Sequence, residues 1–119
     1  MNMQTHKDLD VWKLGIELVE DIYLITRKFP KDEMYGLTSQ LRRSSVSVPS
    51  NIAEGYARNY NKELLQYLYH ALGSISEMET QLIISVRLKY LENEKIIEKV
   101  ELVRKMLINL IKYHRSKGK

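Results

Sequence analysis

Residues 42–55 read RRSSVSVPSNIAEG. They set a proline and a run of hydroxyl and amide side chains inside a segment that otherwise keeps a helical period. At ~100° per residue, Leu37, Leu41, Ser44, Val48, Ile52 and Gly55 fall on one stripe, with Tyr56 at its flank. Arg43, Ser47, Asn51, Glu54 and Arg58 form a polar strip beside it. Such a strip belongs at a helix–helix or subunit interface, where its groups must find hydrogen-bond partners or remain desolvated at a cost. Pro49 removes the helical bond to the Ser45 carbonyl, which in a helix interior costs roughly 3 kcal/mol. Two readings follow. One helix kinks at Pro49, with serine hydroxyls meeting the freed groups; or a helix stops and a new one starts at Asn51, with N-I-A-E as a capping box. The stripe keeps its phase across Pro49, which favours a second helix kinked at that residue. Ser44, Ser45, Ser47, Ala53 and Gly55 are small enough to let a neighbour approach closely.

The same period extends outward in both directions. Val11, Gly15, Leu18, Ile22, Ile25 and Phe29 recur three or four apart, predicting a helix over about 8–29 that stops before Pro30. Gly36 turns the chain into the second helix, about 37–58. Leu64, Leu68, Leu72, Ile75, Met78, Leu82 and Val86 mark a third over about 62–91. Ile96, Val100, Val103, Leu107 and Leu110 step by fours and threes, the pattern of a bundle seam, and mark a fourth over about 94–113 with a basic tail at 114–119. No stretch alternates like a strand. Short connections make neighbouring helices antiparallel, so the expected fold is all-α: a single up-down-up-down four-helix bundle spanning 1–119.

Composition bounds what such a bundle can do. The chain has 119 residues, 44% hydrophobic and 29% charged, and no cysteine, which suits one soluble core and a reducing, cytoplasmic home. No apolar run reaches the ~18 residues of a membrane span. The net charge is +4. Lys112, Arg115, Lys117 and Lys119 carry all of it, and the body without them balances 15 cations against 15 anions. Ile16, Leu24, Ile84, Leu88, Leu102, Met106 and Ile108 lie at the edges of the main stripes or outside them. They are either ordinary surface residues or a second face buried against another subunit.

Candidate chemistry is sparse. The serines of the 42–55 stretch stand in no G-x-S-x-G turn and have no His or Asp at a useful spacing. No Glu-x-x-His pair offers a di-iron site, and the glycines form no phosphate-cradling loop. His6, His70 and His114 read as surface or boundary residues. Residues 56–69, YARNYNKELLQYLY, interleave tyrosines with Arg58 and Lys62. Their rings either close the end of the bundle, with hydroxyls in water, or stack on single-stranded nucleic acid; the first is favoured. The expectation is a protein that is not an enzyme and holds no metal or cofactor.

LDVWKLGIELVEDIY (9–23), FPKDEMYGLTSQLRRSSVSVPSNIAEGYAR (29–58) and LYHALGSISEMETQLIIS (68–85) resemble the four-helix-bundle family of proteins encoded in 23S rRNA intervening sequences. The likeness runs from about Leu9 to Leu91 and continues loosely through the fourth helix. It implies a left-handed bundle, a homopentamer and no enzymatic activity, with Arg43, Ser47, Pro49, Asn51, Glu54 and Gly55 as motif and interface residues. A related branch comprises accessory proteins of diversity-generating retroelements, which assist a reverse transcriptase and bind nucleic acid. Those proteins are basic over the body, whereas this body is neutral. The expected role is therefore an oligomeric scaffold or interaction protein. The alternative is a nucleic-acid-binding accessory acting with rRNA or a reverse transcriptase, through Arg42, Arg43, Arg58, Lys62, Lys112, Arg115, Lys117 and Lys119.

Overall fold

The computed structural model describes residues 5–92 and 95–117. All regular structure among them is helical: α1 (Asp10–Thr26), α2 (Leu37–Tyr56), α3 (Asn61–Arg87) and α4 (Lys95–Lys117), with single 3-10 turns at His6–Asp8 and Lys31–Glu33. Close backbone approaches join α1 to α2, α2 to α3, α3 to α4 and α4 to α1, while the diagonal pairs stay apart. Side-chain pairings set the directions. Ser44 meets Gln81 and Ser47 meets Ser74, so α2 and α3 run antiparallel. Arg104 reaches Ser76 while Arg115 reaches Tyr69, so α3 and α4 do too. The result is an up-down-up-down four-helix bundle, 47 Å long and 23 × 21 Å across.

Most of the core comes from the stripes read from the sequence, but Ile25, Leu64, Leu72, Val86 and Leu110 are only half-buried, while Ala71 and Ile111, outside those stripes, are buried. Leu18 and Ile22 of α1, Leu41, Val48 and Ile52 of α2, Leu68, Ile75, Met78 and Leu82 of α3, and Val100, Val103 and Leu107 of α4 are all fully buried. Each such side chain stabilises the fold by about 1.5–3 kcal/mol relative to an exposed position. α2 runs unbroken through Pro49, so of the two readings of this stretch the single helix stands. The proline ring sits against α1: a Cβ added at Gly15 would meet its Cβ and Cδ at 3.8 Å.

The helix limits differ from the expected ones for local reasons. α1 ends at Thr26, whose Oγ1 turns back to the Ile22 carbonyl at 2.7 Å; the last residues before Pro30 form only tight turns. α2 ends at Tyr56 rather than residue 58. α3 ends at Arg87 rather than 91, because Lys89 adopts a left-handed φ of 65°. Tyr90 N bonds Ser85 O and Lys89 N bonds Val86 O, which is a Schellman closure made without glycine. α2 begins on a side-chain cap that the spacing alone did not reveal: Glu33 Oε1 accepts from Leu37 N at 3.0 Å, and its Oε2 accepts from Tyr90 Oη at 3.1 Å. That hydrogen bond raises the Tyr90 pKa above the ordinary tyrosine value.

α4 continues through residues 114–117, where a tail was expected. Asn61 Nδ2 donates to the His114 carbonyl at 3.0 Å, and Tyr56 Oη lies 2.6 Å from His114 Nε2. The Asn61 bond supplies a partner that a carbonyl in the last turn of a helix otherwise lacks. Gly73 is the one exposed glycine inside a helix among the described residues, and a Cβ there would meet nothing within 4 Å.

Candidate functional site

The polar strip of α2 turns toward α3. Ser47 Oγ shares a 2.8 Å bond with Ser74 Oγ, and Asn51 Nδ2 donates to both the carbonyl (2.8 Å) and the hydroxyl (2.9 Å) of Ser47. One turn on, Arg58 Nη2 donates to Glu54 Oε2 at 2.8 Å and to Tyr67 Oη at 2.6 Å, with its guanidinium 4.8 Å above the Tyr67 ring. The bond to Glu54 raises the Arg58 pKa further still. Gly55 is where the helices nearly touch: a Cβ there would stand 3.0 Å from Leu64 Cδ1 and Tyr67 Cβ, and 3.2 Å from the Leu64 carbonyl. Motif residues Ser47, Asn51, Glu54 and Gly55 thus line the α2–α3 seam, and Pro49 lines the α1–α2 seam. Arg43 stands apart from both, exposed.

Toward the start of α2 lies a different surface. Arg42 Nε donates to Thr26 Oγ1 at 3.0 Å and its guanidinium sits 4.6 Å over the Tyr23 ring. Tyr23, Met34, Tyr35, Arg42, Arg43 and Val46 line an open groove of about 600 Å³. Val46 also borders a smaller depression of about 250 Å³ against Trp12, Ile16 and Pro49. The two make a continuous, largely apolar surface along α1 and α2. Sequence spacing had flagged Ile16 as spare apolar area, but not Tyr23, Met34, Tyr35 or Val46. Met34 and Tyr35 come from the turn before α2, where periodicity gives no signal.

The remaining cations gather at the other end. The start of α3 and the last turns of α4 carry Lys62, Lys112, Arg115 and Lys117, opposed only by Glu63. Lys62 and Lys112 are exposed and form no ion pair among the described residues. Arg115 Nη1 lies 3.4 Å from Tyr69 Oη, and Lys117 Nζ lies 5.1 Å from the Tyr113 ring centre. Lys119 falls outside the described residues. Arg42 and Arg43 are about 24 Å down the α2 axis from Arg58, so the structure does not bring the candidate nucleic-acid contacts into one patch. Beneath the basic end, burial and the nearby Lys117 charge lower the His114 pKa, and burial with the neighbouring Tyr113 pushes Tyr56 up to about 12. Among the described residues no three His, Asp or Glu side chains converge as metal ligands would, and no helix is long and apolar enough to cross a membrane.

A family model described as "23S rRNA-intervening sequence protein" matches residues 7–109. Among solved structures, the chain is similar to a protein of unknown function of the S23 ribosomal protein family from Bacteroides thetaiotaomicron. The two are 24% identical, with a TM-score of 0.78 over 86% of this chain and 95% of the other. That likeness carries the fold. No curated protein matches the chain.

Proposed function

Because the chain belongs to the 23S rRNA-intervening sequence protein family, we propose that it is a non-enzymatic oligomeric bundle, a cytoplasmic scaffold or interaction protein that assembles as a homopentamer. The observation that carries this reading is the continuous apolar surface on α1 and α2. Val46, Ile16, Tyr23 and Met34 are 37–48% exposed there and Tyr35 is 97% exposed. Apolar side chains grouped this way mark an association surface, whereas scattered ones do not. Ser47, Asn51 and Glu54 of the α2 motif are meanwhile engaged in bonds within the subunit, which suits a structural use better than a catalytic one. Light scattering is expected to give about five times the 14.1 kDa chain mass, and Val46→Asp to lower that mass while leaving helicity intact. A stable monomer at micromolar concentration overturns the proposal.

A second reading, a nucleic-acid-binding accessory acting with rRNA or a reverse transcriptase, is favoured by one observation: Lys62, Lys112, Arg115 and Lys117 stand near one another at the end where α3 begins and α4 finishes, opposed within those segments only by Glu63. Retention of RNA at low salt, lost steeply as salt rises, is the expected behaviour. Absence of binding at low salt removes this reading and leaves the scaffold.

A further inference from the structure

The outer flank between α3 and α4 combines three features that packing does not account for. The first is a line of side chains. Lys62, Gln66 and Tyr69 follow one another at helical spacing on α3, and Lys112 and Arg115 do so on α4. The contacts of Arg104 with Ser76 and of Arg115 with Tyr69 lay those two lines side by side. The second is the position of Lys62. Cations at the end of α4 complement its dipole, but Lys62 sits in the first turn of α3, where the dipole disfavours a cation. The third is Gly73, one turn beyond Tyr69. Alanine would fit there without contact and would strengthen the helix. Glycine leaves the backbone bare beside a ring that is 45% exposed.

We propose that this flank binds single-stranded nucleic acid, with an unpaired base on the Tyr69 ring, phosphates on Lys62, Lys112 and Arg115, and the strand passing close over Gly73. The inference rests on the second reading above and names its ligand class. Phosphates alone would need only the cations. An exposed aromatic ring beside a guanidinium adds a stacking platform that accepts any base. Paired bases hide their faces in the duplex, so the platform selects single strands.

The test is fluorescence anisotropy of the full chain at low salt with three labelled probes: an oligouridylate, an abasic strand of equal length and a duplex. The oligouridylate is expected to bind tightest. Tyr69→Leu is expected to weaken it about 5- to 150-fold and to leave the abasic strand unchanged. Arg115→Gln is expected to lower the slope of log K against log salt by ~0.7 for the single strand. Circular dichroism on both variants confirms that they fold, and Arg115→Gln keeps the test alive if Tyr69→Leu does not. If the probes bind but the abasic strand or the duplex binds as tightly as oligouridylate, or if both variants behave as wild type, the strip is wrong while nucleic-acid binding stands. If none of the probes binds, both the strip and the reading beneath it fall.

Discussion

The α2–α3 seam and the α1–α4 seam hold the same bundle together by opposite means. α2 and α3 approach over most of their length, and α1 and α4 meet sparsely. Where the helices are close, the polar contacts are short and shielded: Ser44 Oγ to Gln81 Oε1 at 2.9 Å, buried, and Ser47 to Ser74 at 2.8 Å, partly buried. Where they are far, one long side chain spans the gap. Lys99 Nζ reaches Asp21 at 2.7 Å and Glu17 at 3.3 Å from a partly solvated position. A hydrogen bond to Asp21 raises its pKa against the effect of burial. Close seams therefore fix register through groups that tolerate little change, and distant seams tolerate replacement.

The largest expected effect tests the close seam directly. Gly55→Val drives side-chain atoms into Leu64 and Tyr67, with the Leu64 carbonyl unable to move far; unfolding is expected to come about 1–3 kcal/mol earlier. An unchanged midpoint would mean that α2 can drift away from α3. Next, Ser44→Ala strands the buried Gln81 oxygen and is expected to cost ~1–2 kcal/mol, most of which Gln81→Leu in the same chain restores. Failure of the double variant to recover would assign the loss to packing instead.

A smaller effect appears with pH at the junction of α2, α3 and α4. His114 has a lowered folded pKa, so the unfolded chain takes up its proton first as pH falls. The melting temperature is expected to drop on acidification from the ordinary histidine value of ~6.5 down through the lowered folded one. His114→Phe removes that slope. Tyr56 has the opposite shift, to about 12, so its contribution is complete below ~10 and lost as pH climbs toward 12. The smallest effect belongs to the distant seam: Lys99→Met is expected to change stability by under ~1 kcal/mol and to remove part of its salt dependence. A loss as large as that of Ser44→Ala would erase the contrast between the two seams.

The stripes that became the core were legible because burial repeats with the helix. Leu18, Ile22, Leu41, Ile52, Leu68, Leu82, Val103 and Leu107 were all marked by spacing alone. Ser44 could be placed on the packing face for the same reason, and Asn51 at its edge. Partners were not legible: nothing in the spacing says that Gln81 faces Ser44 or that His114 faces Tyr56, since these pairs are 37 and 58 residues apart. The α3 end was hidden too, because a lysine holds the left-handed position where glycine is the usual sign. The groove before α2 depends on Met34 and Tyr35, which belong to a turn and carry no period.

Gly73 also governs how α3 moves. A glycine midway along a 27-residue helix is the weakest link in its propensity, by about 1 kcal/mol relative to alanine. Serines at 74 and 76 follow it. Helical amides there are expected to open locally before the bundle unfolds, so hydrogen exchange is expected to divide α3 into a slower half around Gln81, which meets Ser44 of α2, and a faster stretch around Gly73. A ligand that settles on that flank is expected to quiet the faster stretch, which would make the amides near residue 73 a built-in clock that reports occupancy without any label.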